Sequence, residues 1–177
     1  MDSIKLLYVD LFSGAGGTST GVETSGVAKV IACVNHDANA IASHAANHAK
    51  ALHFVEDVRT LDLSKITAHV EFMKRQYPDA KLVLWASLEC TNFSKAKGGQ
   101  PRDADSRTLA YSLYKHFNPQ TNSYLEGIGY IQALNPDYIH IENVEEFMSW
   151  GEMDENGKPI SKLNGSDYMK FVNDICN

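Results

Sequence analysis

Short apolar runs alternate with polar stretches of helical period almost from the first residue. Leu6-Leu7-Tyr8-Val9-Asp10-Leu11-Phe12 is a β-rich run closed by Ser13-Gly14-Ala15-Gly16-Gly17, and a helical stretch follows from Thr18 to Ser25. Val27 to Val34 reads as a second strand. Ala38 to Ala49 is Ala-rich and places Ile41, His44, Ala45 and His48 on one helix face. His53-Phe54-Val55 makes a third strand ending at Asp57-Val58, Ile66 to Tyr77 an amphipathic helix stopped by Pro78, and Lys81 to Ala86 a fourth strand. Beyond a polar stretch from Ser87 to Arg107, the pattern predicts helices over about Thr108–His116 and Tyr124–Leu134, split by the irregular link Asn118-Pro119-Gln120-Thr121-Asn122. Tyr138 to Ile141 is a fifth strand. A polar, turn-rich segment from Gly151 to Asn164 precedes a helix over Tyr168–Cys176, with Ser166 or Asp167 as its N-cap.

Strands separated by helices of this length predict an α/β fold: a mostly parallel sheet with helices on both faces. Ligands of such sheets bind beyond the carboxyl ends of the strands, near the point where strand order reverses. The least ordinary segments fall there: 12–17, 35–37, 57–58, 87–94 and Glu142-Asn143. A βαβ architecture would supply another strand after the last helix, so a truncated or split protein is expected.

Composition narrows the class. The 177 residues are 44% hydrophobic and 21% charged, which fits a globular domain rather than a disordered tail. The length suits a single domain spanning 1–177. No apolar run is long enough to cross a membrane and the N-terminus has no leader pattern, so a cytoplasmic protein is expected. Three separated cysteines, Cys33, Cys90 and Cys176, make no disulfide framework and suit a reducing compartment. The formal net charge of −6 is unusual for a stand-alone nucleic-acid binder and calls for a local basic surface.

Three constellations can carry chemistry. The loop from Phe12 to Gly17 joins a strand to a helix, where glycines let a ligand approach the backbone and the helix offers free N–H groups. Asn35 and His36 stand where ribose ligands end a second strand, and Asp57 at the tip of the third can reach an adenine amino group. Cys90 sits in a polar loop beyond a buried strand, with Lys95 and Lys97 favouring its thiolate, whereas Cys33 lies inside a strand as a buried structural thiol. Glu142 ends the fifth strand, where partial shelter from water would raise its pKa and fit it for proton donation. His44 and His48 lie i, i+4 with His36 and His53 nearby in sequence, but no metal-binding motif accompanies them, and no metal is expected.

Asp10-Leu11-Phe12-Ser13-Gly14-Ala15-Gly16-Gly17, then Cys90-Thr91-Asn92-Phe93-Ser94, then Glu142-Asn143-Val144, resembles the DNA (cytosine-5) methyltransferase family in motif, order and spacing. The resemblance runs from about Leu6 to the C-terminus and covers roughly the first half of a typical member. It implies a Rossmann-like, S-adenosylmethionine-dependent methyltransferase fold, incomplete at its C-terminus, whose target-recognition domain and closing helix are absent. It also implies that Phe12, Ser13, Gly14, Ala15, Gly16 and Gly17 wrap the methionine part of S-adenosylmethionine. Asn35 and His36 would meet the ribose and adenine, and Asp57 and Val58 the adenine edge and face. Cys90 would be the nucleophile and Glu142 the group that binds and protonates the cytosine. Ser94 and Arg107 would contact DNA, Arg107 in a loop with Lys95, Lys97 and Arg102, and Asn143 would hold its loop in shape. The implied partner is double-stranded DNA with a flipped cytosine, together with a second chain or further segment for base recognition; restriction-modification in a prokaryotic or phage setting is the implied context.

Three residues depart from the family pattern. Glu89 and Thr91 flank Cys90 where members usually have Pro and Gln, and a carboxylate beside the thiolate raises its pKa. Asn35 replaces a usual acid and gives up a charged hydrogen bond, costing about 1–2 kcal/mol of cofactor affinity. A tRNA cytosine methyltransferase and an inactive S-adenosylmethionine-binding module remain alternative readings, with a nicotinamide-dependent dehydrogenase ranked below them.

Overall fold

The structure, a computed structural model, describes residues 3–89, 109–118, 123–126, 129–152, 154, 160 and 165–176. Five parallel strands form one sheet: β1 (Leu6–Leu11), β2 (Ala28–Asn35), β3 (Leu52–Val55), β4 (Lys81–Ser87) and β7 (Tyr138–Glu142). Their order is β3-β2-β1-β4-β7. Three helices connect the first four strands: α1 (Gly17–Thr24), α2 (Ala38–Asn47) and α3 (Leu63–Gln76). The expected parallel sheet is therefore present, with element boundaries shifted by one to three residues. α3 begins at Leu63 rather than Ile66 because the Asp62 side chain accepts from the Ser64 N–H and caps it.

Side-chain alternation along the strands feeds two apolar layers. Leu7, Val9 and Leu11 of β1 and Leu82, Leu84 and Ala86 of β4 face the larger core, covered by Ile66, Val70 and Met73 of α3 and by aromatic residues such as Tyr130, Phe147 and Phe171. Each fully buried leucine in that layer contributes about 1.5–3 kcal/mol relative to exposure. Tyr8, Val30 and Val83 face the opposite layer, against Val22 of α1 and Ala51 after α2. A β-bulge interrupts the β1–β2 ladder: Tyr8 pairs with Val30 but Val9 with Ala32, leaving Ile31 extra. The His69 ring of α3 donates from Nε2 to the Ile31 carbonyl at 2.9 Å and so satisfies that interrupted ladder.

The region expected to hold two helices departs from that reading. Among the described residues of the first expected helix only 109–111 are helical, and Lys115–Asn118 (β5) and Ser123–Glu126 (β6) pair as an antiparallel hairpin, with Lys115 opposite Glu126. A short helix survives at Tyr130–Leu134. Two aromatic-containing runs flanking a short Pro-containing polar link satisfy a hairpin as well as a helix pair, and cross-strand pairing decides. Backbone contact reinforces it: a Cβ on Gly129 would lie 2.4 Å from the Tyr114 backbone, so only glycine permits this approach. The C-terminal helix, Ser166–Cys176, includes Ser166 and Asp167 in its first turn rather than beginning after them. No helix among the described residues is long and apolar enough to cross a membrane.

Candidate cofactor cleft and its surroundings

Strand order reverses at β1, which lies between β2 and β4. The carboxyl ends of these strands bound a cleft of about 410 Å³. Phe12, Asn35, His36, Asp57 and Val58, from three successive strand ends, all line it. Ser87 and Glu89, from the segment expected at this end of the sheet, complete the wall together with Arg59 and Leu109, which the sequence pattern does not single out. The Asp57-x-Arg59 spacing was the available signal for one of them, because a loop acid readily accepts from the backbone two residues on.

Local chemistry fixes the lining. Phe12 holds φ at 59°, a left-handed conformation that costs a non-glycine residue about 1–2 kcal/mol and marks the turn out of β1 as shaped by the site. The Asn35 side-chain oxygen accepts from the Asp37 N–H at 2.9 Å, which leaves its amide N–H groups as the donors available to a ligand hydroxyl. Asp37 itself caps α2 by accepting from the Asn39 and Ala40 N–H groups. Arg59 donates from Nε to both Asp57 oxygens at 3.0 Å, and its backbone N–H donates to Asp57 Oδ1 at 2.9 Å. Burial alone would push the Asp57 carboxyl up, but the Arg59 hydrogen bonds and charge outweigh it and hold the carboxyl below its ordinary value. It is an ionised acceptor with lone pairs to spare.

Ser13, Gly14, Ala15, Gly16 and Gly17 form the neighbouring loop into α1 rather than the wall of this cleft. Gly16, the N-cap of α1, has φ 99°, and a Cβ there would meet the His48 and His44 rings at 3.0–3.1 Å. The loop rests on a buried polar layer. His44 and His48 share the packed face of α2 that the periodicity predicted, both almost fully buried. His48 Nδ1 bonds Glu23 at 2.8 Å and its Nε2 bonds Thr20 at 3.1 Å.

Glu142 closes β7 opposite Ser87, the last residue of β4. The Leu88 N–H donates to the Glu142 carbonyl at 3.2 Å, and Asn143 Nδ2 donates to the Leu88 carbonyl at 3.4 Å. Asn143 Oδ1 also accepts from the Val144 N–H at 2.8 Å, so its amide ties the end of β7 to the end of β4. The Glu142 side chain is exposed rather than sheltered as expected, because β7 is the sheet edge among the described residues and most of its side chains meet solvent. Cys90, Ser94 and Arg107 lie outside the described residues, as do Lys95, Lys97 and Arg102. Glu89, next to Cys90 in the chain, is described and exposed on the cleft wall.

Comparison with known proteins bears on this geometry. The profile of the family described as C-5 cytosine-specific DNA methylase matches residues 6–173. The Type II methyltransferase M.AgeI of Thalassovita gelatinovora is 28% identical over 141 residues, covering 80% of this chain and 28% of that protein. A DNA-cytosine methyltransferase of Escherichia coli K12 is 25% identical over 185 residues, covering 93% of this chain and 38% of that protein. The chain thus spans between 28% and 38% of the length of these curated relatives. Among solved structures, a protein described as a DNA modification methyltransferase encoded within an E. coli prophage superposes with a TM-score of 0.58 at 26% identity, covering 96% of this chain and 38% of that one. A Spodoptera frugiperda DNMT2 mutant superposes at 0.51 with 18% identity, covering 97% of this chain and 41% of that one, a likeness of fold alone.

Proposed function

The chain belongs to the C-5 cytosine-specific DNA methylase family, and from that membership we propose that it binds S-adenosylmethionine in the cleft and methylates C5 of cytosine in DNA through Cys90. In this reading residues 1–177 are one cofactor-binding catalytic domain working within a larger enzyme, whose further parts, on the same or a second chain, supply base recognition. The observation that carries it is the convergence of Phe12, Asn35, His36, Asp57 and Val58 on one cleft whose far wall, Ser87 and Glu89, leads directly to Cys90. The cleft volume of about 410 Å³ lies within the roughly 300–1,000 Å³ typical of cofactor sites. Its mixture of an aromatic ring, an amide donor and an ionised acceptor suits a nucleoside carrying an amino acid.

S-adenosylmethionine supplies an electrophilic methyl group on a sulfonium sulfur. Asn35 donates to a ribose hydroxyl, Asp57 accepts from the adenine amino group, and Phe12 and Val58 cover apolar faces. His36, exposed at the β2 end, stacks on the adenine. Cytosine C5 is a poor nucleophile until something adds at C6, and the Cys90 thiolate supplies that bond. Glu142 hydrogen-bonds and protonates N3, stabilising the negative charge that addition pushes into the ring. The Asn143 amide holds Glu142 against the segment leading to Cys90. After C5 has taken the methyl group, a solvent water takes the C5 proton, the electron pair left behind re-forms the C5–C6 double bond and expels the Cys90 thiolate, and Glu142 takes back the N3 proton. A base within a duplex cannot meet these groups, so the cytosine is flipped out of the stack. Ser94 and Arg107 contact the DNA backbone.

Calorimetric titration with S-adenosylmethionine and methyl incorporation into duplex DNA and tRNA, measured side by side, test the proposal. Cys90→Ala is expected to abolish methyl transfer to DNA while leaving cofactor affinity nearly unchanged. Full turnover by that variant, or methylation of tRNA alone, overturns the reading.

A further inference from the structure

Three ligand-type atoms converge beneath the glycine loop, apart from the cofactor cleft. Asp10, Cys33 and His53 occupy one register row across β1, β2 and β3, each paired with the next. α1 brings Ser19 over this row and α2 brings His44. Cys33 Sγ lies 3.7 Å from His44 Nδ1, which lies 3.0 Å from His53 Nε2, and all three atoms fall within 4.8 Å of one another.

Hydrogen-bond accounting shows what this arrangement lacks. The Ser19 hydroxyl donates to Asp10 Oδ2 at 2.8 Å, so its only proton is committed. His44 Nε2, 2.9 Å from the same hydroxyl, must therefore carry the proton and donate. That leaves His44 Nδ1 with a single lone pair, aimed at both the Cys33 thiol and the His53 ring. One lone pair cannot serve two donors well, whereas a cation placed among the three atoms accepts a lone pair from each.

We propose that Cys33, His44 and His53 form a zinc(II) site beneath the glycine loop, with solvent at the fourth position. Tetrahedral zinc with its usual bond lengths separates two nitrogen ligands by about 3.3 Å and a sulfur from a nitrogen by about 3.6 Å. The 3.0 and 3.7 Å found here lie within a few tenths of an ångström of these values, and the third separation, Cys33 Sγ to His53 Nε2, is within 4.8 Å and closes as the edge imidazole moves in. One thiolate and two imidazoles form a borderline-soft donor set that zinc prefers over magnesium or calcium. The Asp10–Ser19–His44 relay supplies the outer-shell support that fixes a ligating imidazole's tautomer. Asp10 Oδ1, buried and without a partner among the described residues, places further negative charge close by. Cys33 and His44 are fully buried, while half-buried His53 on β3, a sheet edge among the described residues, opens the entry path.

Metal-free, Cys33 is a thiol fully buried in β2. Zinc binding replaces the S–H bond with a Zn–S bond and releases that proton to solvent, while His44 and His53 bind as neutral imidazoles, the His53 proton moving from Nε2 to Nδ1 to free the Nε2 lone pair. The site therefore releases about one proton per zinc. Its spacing, positions 33, 44 and 53, follows no sequence motif, which is why the sequence carried no metal signal.

The test is zinc stoichiometry and affinity of the whole chain by chelator competition, with cobalt(II) as a spectroscopic substitute. One zinc per chain is expected, together with a thiolate-to-cobalt charge-transfer band. Cys33→Ala should lose the band, and His53→Gln should weaken zinc binding by more than the roughly 10–100-fold expected for the outer-shell variant Ser19→Ala. Cys90→Ser and Cys176→Ser should leave both band and affinity unchanged. His53→Gln and Ser19→Ala keep the test decisive if Cys33→Ala does not fold. No stoichiometric zinc, a band that follows Cys90 or Cys176, or affinity indifferent to His53→Gln overturns the proposal.

Discussion

Gly16→Ala tests how the loop into α1 is held. At φ 99° and ψ 24°, alanine occupies a region that costs about 1–3 kcal/mol, towards the upper end because φ lies well beyond the left-handed minimum. The new methyl would meet His48 Cδ2 at 3.0 Å and His44 Cδ2 at 3.1 Å. Neither ring withdraws freely, since His48 is tied to Glu23 and Thr20 and His44 to Ser19. Relief of that overlap adds about 1 kcal/mol. The sum, about 2–4 kcal/mol, would lower the melting temperature by roughly 5–15 °C for a domain of this size. Urea denaturation with an unchanged m-value is the assay. Gly17→Ala is the control: no positive φ constrains it and nothing lies within 4 Å of its added methyl, so stability should rise by up to about 1 kcal/mol. A Gly16→Ala protein within about 0.5 kcal/mol of the wild type, or a Gly17→Ala loss of equal size, would refute the reasoning.

Two further outcomes follow from named contacts. His69→Ala removes the donor to the Ile31 carbonyl at the β-bulge and should cost about 1–3 kcal/mol, with amide exchange accelerated along β2; unchanged exchange there would show that the bulge needs no partner. Asp57 is held below its ordinary pKa by Arg59, so folding favours its ionised form. That contribution is present above the unfolded value and disappears as pH falls through the lower folded one. Asp57→Asn should therefore be less stable than the wild type near pH 7, with the gap closing as pH falls below the ordinary carboxylate range; a gap independent of pH contradicts the Arg59 pairing.

Much of this protein was legible in its sequence because the deciding forces were local. Five short apolar runs made β1, β2, β3, β4 and β7, and the polar stretches of helical period between them made α1 to α3. Unusual residues at successive strand ends pointed to the cleft because parallel connectivity itself aligns those ends. Tertiary contact decided the rest. Lys115–Asn118 and Ser123–Glu126 pair across a hairpin, a choice made by cross-strand bonds that no helical or extended propensity encodes. Glu142 meets solvent because its strand is the sheet edge among the described residues, a fact of strand order rather than of residue type. Above all, Cys33, His44 and His53 come from two strands and a helix, and only the β2–β3 register and the packing of α2 bring their ligand atoms together. Periodicity reports which side of an element is buried; what that side touches depends on how the elements stack.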